Sequence, residues 1–214
     1  MGKIEEGING PFRGKTGSVI GSSWRKINYI KGLPRKIKRK PSPRQALQRA
    51  KFVLLNQFFD PVANLLEIGF NQYTSKATGR NVAFSVNFDH AFVNEGENVA
   101  LNYPALQFSQ GSLFPAGDEK AWLEGDTLHV TWDPHTYGMG RSMDDKAFLV
   151  LYDETDAYFI GGYEALRLDG GIQATDDELA SRSHKFHLWL FFADKAHKQV
   201  SKTVYIPIEN GESE

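Results

Sequence analysis

Between Trp24 and Lys51 the chain carries 11 lysines and arginines and no acid. Such a run can displace the counterions condensed on a phosphate backbone, and rings within it can stack on exposed bases. Arg25, Lys26, Lys31, Arg35, Lys36, Lys38, Arg39, Lys40, Arg44 and Arg49 are the candidate anion contacts, with Trp24 and Tyr29 interleaved as candidate rings. The same cations suit an acidic protein face. Residues 1–51 hold 14 Lys and Arg against 2 Asp and Glu, a balance of +12; residues 52–214 hold 11 against 24, a balance of −13. Charge separated in this way bears on partners and self-association rather than on fold. An arm docking on an acidic face of its own or a neighbouring subunit is therefore weighed above nucleic-acid binding, which no RRM, KH, zinc-finger or helix-turn-helix signature supports.

Other chemistry is thinner. His184 and His187 are the only close histidine pair, and three residues apart on a strand they face opposite sides. His129 and His187 could meet across strands, but no carboxylate spacing completes a site. No metal and no cofactor is expected. Asp144-Asp145, Asp153-Glu154-Thr155-Asp156 and Asp176-Asp177-Glu178 offer oxygens to Ca²⁺ but lack the spacing of an EF-hand, so solvated loops are the simpler reading. Gly138-Met139-Gly140 is weak as a phosphate loop, and Gln45 with Arg49 reads as a cap and a surface hydrogen bond. The absence of cysteine removes disulfides, thiolate nucleophiles and Cys-based metal centres. No nucleophile elbow, P-loop or HExxH motif occurs, and the reading is that of a protein without catalytic activity.

The elements that must carry these residues follow from periodicity. Glycines at 7, 10, 14, 17, 21 and 32 bound short β-type runs at 18–20 and 27–30, which predict hairpin strands or an extended arm. Two prolines bracket the basic stretch 34–41 and favour extension. Ser42 as cap, Pro43 as first helical residue and Gln45 in the capping-box position predict a helix start, with Leu47, Ala50, Leu54 and Phe58 on one face. Two helices, or one kinked at Pro61, are expected over 43–73. Residues 81–92 fit either period and are assigned to helix; 93–103 reads as a linker. From about 104 the period becomes two, with strands expected at 105–109, 121–124, 127–133, 146–152, 157–161, 164–168, 184–192 and 199–207. The expected fold is α+β: a basic arm and helical module over 1–98, then an antiparallel β-sandwich over 99–214. No run reaches the ~20 apolar residues of a membrane span, and no signal peptide is recognised.

Leu128-His-Val-Thr-Trp132-Asp-Pro134, Ala147–Tyr152, His187–Asp194 and Val200–Ile206 resemble the second, third, sixth and last strands of a fibronectin type III or Ig-like sandwich, except that Trp189 stands where a tyrosine corner would be sought. Gly21-Ser22-Ser23-Trp24, the Tyr29–Pro34 element and Pro41, Gln45, Arg49 and Phe52 are similar to a family of uncharacterised bacterial proteins of about this length. Helix starts of this kind occur among phage structural proteins. The resemblance implies a structural protein that assembles with itself or a partner, in the cytoplasm or in a virion-like or surface assembly. Homo-oligomerisation through the arm and first helix is the preferred expectation. Nucleic-acid binding through 24–51 is the second, and a ligand- or glycan-binding sandwich, resting on Trp122, Trp132 and Trp189, the third.

Overall fold

In the computed structural model the described residues are all those except 1, 4–9, 25–26, 35–39, 76, 96–97, 137–141, 181–183 and 211–214. They fall into two compact units, Met1–Ser42 and Pro43–Glu214.

The first unit is a four-stranded antiparallel sheet made of β1 (Gly2–Lys3), β2 (Gly14–Thr16), β3 (Val19–Trp24) and β4 (Ile27–Gly32), in the order β1-β4-β3-β2. Its one buried described residue is Gly21, at which a Cβ would stand 2.2 Å from the Phe12 carbonyl oxygen. A single tight approach replaces a hydrophobic core here, as the low apolar content of the segment requires.

The second unit opens with α1 (Pro43–Phe59), α2 (Ala63–Gly69) and α3 (Gly79–Asn87). The break between α1 and α2 falls around Pro61, where the ring removes a backbone donor. Gly69 lets α2 close on the following layer: a Cβ there would lie 2.0 Å from the Phe108 carbonyl oxygen. The expected linker at 93–103 is instead a hairpin, β5 (Phe92–Glu95) and β6 (Asn98–Leu101). Asn94, Glu95 and Asn98, which suggested a linker, lie at the paired ends of those two strands.

The sandwich comprises β7 (Lys120–Glu124), β8 (Thr127–Thr131), β9 (Lys146–Asp153), β10 (Tyr158–Leu166), β11 (Gly171–Thr175), β12 (Phe186–Ala193), β13 (Val204–Ile206) and β14 (Ile208–Asn210). One sheet runs β10-β9-β12-β13 and the other β11-β8-β7-β14, a fibronectin III-like arrangement in which β14 joins β7 in parallel. The fold is thus α+β with an antiparallel sandwich. The two strands expected at 157–161 and 164–168 are one strand with a bulge, where Gly161 takes φ +51° and the register shifts between Ile160 and Tyr163. No strand forms at 105–109. Asn87 accepts from the Gln107 N–H at 2.7 Å and donates to its carbonyl at 2.8 Å, and Thr203 Oγ1 accepts from Phe108 and Ser109. Side chains meet this segment's backbone needs, so it requires no ladder. Residues 200 and 201 form isolated bridges ahead of β13 rather than one strand over 199–207, and β11 and β14 lie where no strand was expected.

Alternation along β9 and β12 divides the core. Leu149, Leu151, Leu188, Leu190 and Phe192 meet Leu128, Val130 and Trp132 between the sheets. Phe148, Val150, Tyr152, Trp189 and Phe191 point to the outer face, where Leu55, Phe58, Phe59, Leu66 and Phe108 cover them. Both strands are buried on two sides and read as continuous apolar runs. The helices therefore form a third layer on the sandwich. A boundary near 98 was expected; by contacts, the chain divides at Ser42 and Pro43.

Candidate functional site

In the first unit, register decides which side chains meet. Trp24 pairs with Ile27, Ser22 with Tyr29, Ile20 with Lys31 and Lys15 with Ile20. Residues two apart on a strand share a face, as do directly paired residues. Trp24, Ile27, Tyr29, Lys31 and Lys15 therefore lie on one face of the small sheet. Trp24 is 61% exposed and Ile27 44%. Of the remaining candidates, Lys40 is exposed ahead of α1, and Arg44 and Arg49 are exposed on α1. Arg25, Lys26, Arg35, Lys36, Lys38 and Arg39 lie outside the described residues.

In the second unit, α1 has no buried side chain before Leu55 and no acid anywhere along it. Up to Val53 it presents Arg44, Arg49, Phe52 and Val53, the last two about half exposed. Phe52 begins a ladder of rings across the helical layer: 4.8 Å to Phe84, then 5.1 Å to Phe88 and 5.8 Å to Phe92. Lys51 caps the ladder with its ammonium 5.0 Å from the Phe92 ring.

A cleft of about 450 Å³ opens between α1, β6 and the sandwich, walled by Leu54, Gln57, Phe58, Val99, Tyr103, Tyr152 and Phe159. Tyr103 and Tyr152 stack at 5.6 Å. Burial pushes the Tyr103 phenol well above its ordinary value, and the nearby Tyr152 and Glu154 add to this, so it stays protonated. On its other side Tyr103 stacks on His187 at 4.1 Å and 15°. Glu154 lies 2.9 Å from His187 Nε2, and the Tyr205 hydroxyl 3.0 Å from Nδ1. An ionised carboxylate only accepts, so Nε2 carries the proton and Nδ1 accepts from Tyr205. The sequence signal missed here was the apolar His187 face of β12, which needed a partner layer to become a polar pocket.

Burial lowers the His187 pKa, and the Glu154 contact offsets only part of that. Glu154 itself is raised by burial, but hydrogen bonds from Lys185 and His187 outweigh this and leave it lowered. A base with a depressed folded pKa stabilises the fold fully above its unfolded value, about 6.5 for histidine, and loses that contribution as pH falls below it. Glu154 acts in a separate window, losing its contribution below the ordinary carboxylate range. His187→Gln should flatten the fall in stability between about pH 7.5 and about pH 5 while leaving the loss below about pH 4.5 in place. Urea midpoints across that range check this; parallel curves for the two proteins would contradict it.

His129 and His187, which could have met across strands, do not. His129 stacks on Trp122 at 5.3 Å, on β8 and β7, whereas His187 lies on β12 of the other sheet. His184 precedes β12 rather than lying in it, so the alternation that separated it from other ligands does not apply; it sits 2.6 Å from Asp153 and 3.8 Å from Asp156. Trp132 and Trp189 are core residues whose indole N–H groups donate to the Arg167 and Tyr103 carbonyls. They cannot form a glycan platform, which leaves only Trp122 of the three. Among the described residues no helix is long and apolar enough to cross a membrane.

A family model described as a family of unknown function, DUF6266, matches residues 11–207. The chain belongs to this family. No curated protein matches it in sequence. Among solved structures, this DUF6266 protein is similar to the fn3 domain of the human collagen alpha-1(XX) chain, with 18% identity and a TM-score of 0.34 over 49% of this chain and 97% of that one. It is also similar to the adhesin domain of Epf from Streptococcus pyogenes, with 14% identity and a TM-score of 0.33 over 47% of this chain and 33% of that one.

Proposed function

We propose that this protein is a non-catalytic interaction module that self-associates, its basic N-terminal region engaging the acidic surface of a second copy. The observation that carries this reading is the shared face of Trp24, Ile27, Tyr29, Lys15 and Lys31, where an exposed tryptophan and a half-buried tyrosine coincide with exposed cations. Aromatic residues are enriched where protein surfaces meet, while cations set approach rate and register. Charge complementarity names the occupant: residues 52–214 carry a balance of −13 against +12 for residues 1–51. Arg44, Arg49 and Phe52 on the exposed half of α1 extend the same chemistry in the second unit.

Light scattering tests the proposal. Oligomers should form at about 50 mM salt and weaken at about 0.5 M, where charges are screened within ~4 Å. Trp24→Ala combined with Lys31→Glu should shift the equilibrium towards monomer while unfolding of the sandwich is unchanged. Monomers at both salt concentrations would overturn self-association. A salt-sensitive complex with single-stranded nucleic acid, formed by such a monomer, would place the same cations on phosphate instead.

A further inference from the structure

We propose that Asp153, Asp156 and His184 form a binding site for a divalent transition cation such as Zn²⁺. The three side chains come from the end of β9, the turn into β10 and the approach to β12, and one ligand atom of each lies within 4.8 Å of the others. The site is separate from the basic face and does not depend on it.

Asp153 and His184 form a hydrogen-bonded pair at 2.6 Å, and Asp156 beside them supplies the third ligand that a metal would need. Two ligand atoms about 2.0–2.1 Å from a tetrahedral ion stand about 3.4 Å apart. The His184 Nδ1 distances are 2.6 Å to Asp153 Oδ2 and 3.8 Å to Asp156 Oδ2, which bracket that value. For an ion to enter, the Asp153–His184 pair must open from 2.6 Å towards that value while Asp156 closes slightly from 3.8 Å. The Asp153 carboxylate is fully buried, and its Oδ1 is held by the N–H groups of Thr155 and Asp156 at 2.7 and 3.3 Å, which aims Oδ2 at His184. A hydrogen-bonded carboxylate of this kind is already oriented for ligation. Asp156 is 58% exposed and leaves an entry path and room for water in the fourth position. Two carboxylates match the charge of a divalent ion. One imidazole among them selects a borderline metal over Ca²⁺, which takes oxygen alone. Ligation through Nδ1 displaces the proton shared with Asp153 Oδ2, which is released to solvent, and leaves the ring protonated on Nε2.

The test is calorimetric titration of Zn²⁺, and separately of Ca²⁺, into the full chain. One Zn²⁺ site is expected in the unaltered protein. Asp156→Asn removes an exposed ligand but keeps the Asp153–His184 contact, so it should fold normally and weaken Zn²⁺ binding at least about tenfold. A purely structural Asp153–His184 pair predicts no change on that substitution. Absent Zn²⁺ binding, equal binding by the two proteins, or a preference for Ca²⁺ would each overturn the proposal.

Discussion

Replacing Trp189 by alanine should remove about 3–5 kcal/mol of folding stability. The side chain is fully buried on the outer face of β12, between Phe108 at 4.9 Å, Tyr205 at 5.8 Å and Phe58 at 6.4 Å. Its indole N–H also donates to the Tyr103 carbonyl at 3.1 Å. Truncation opens a ring-sized void where helix and sheet meet and removes that carbonyl's donor. Trp189→Phe separates the two effects: it keeps most of the volume and should cost much less, with the missing hydrogen bond contributing about 1 kcal/mol. Urea unfolding measures both, with the slope of the transition held as a check on two-state behaviour. A loss below about 1 kcal/mol for the alanine variant would mean that the helical layer is not sealed on the sandwich.

A loss of similar size, about 3–5 kcal/mol, is expected for Asp145→Asn. Arg167 Nε donates to Asp145 Oδ2 at 3.1 Å, with the two side chains 0% and 2% exposed. The guanidinium also lies 4.1 Å from the Phe192 ring and donates to the Phe114 carbonyl at 3.1 Å. Neutralising Asp145 takes a carboxylate away from a desolvated guanidinium, so the cost exceeds that of one neutral hydrogen bond. Buried pairs are little screened, and the loss should persist in about 0.5 M salt. Lys146→Ala is the control: its pair with Glu164 is exposed, and at most about 1 kcal/mol should change. Equal effects at Asp145 and Lys146 would contradict the burial argument.

Much of this molecule is local in origin. Ser42-Pro43 marks the start of α1, Pro61 the break after it, and the Phe84-Phe88 spacing the helix α3. Alternation over 127–131, 146–153 and 186–193 writes three sandwich strands directly into the chain, because side chains on a strand change face at every residue. The charge division between the first quarter and the remainder is equally plain in composition. Glu154, His187 and Tyr103 needed more than that: they meet only because the helical layer closes on the outer face of β9 and β12. Asp145 finds Arg167 22 residues away, and Asp153 finds His184 31 residues away, through strand pairing that no local pattern specifies. The sequence by itself determined these elements and the charge each region carries, since both follow from neighbours along the chain; β5, β6, β11 and β14 were not legible in it. Tertiary structure alone decided the third layer and the polar clusters, because a strand that is apolar on both faces demands cover without naming what supplies it.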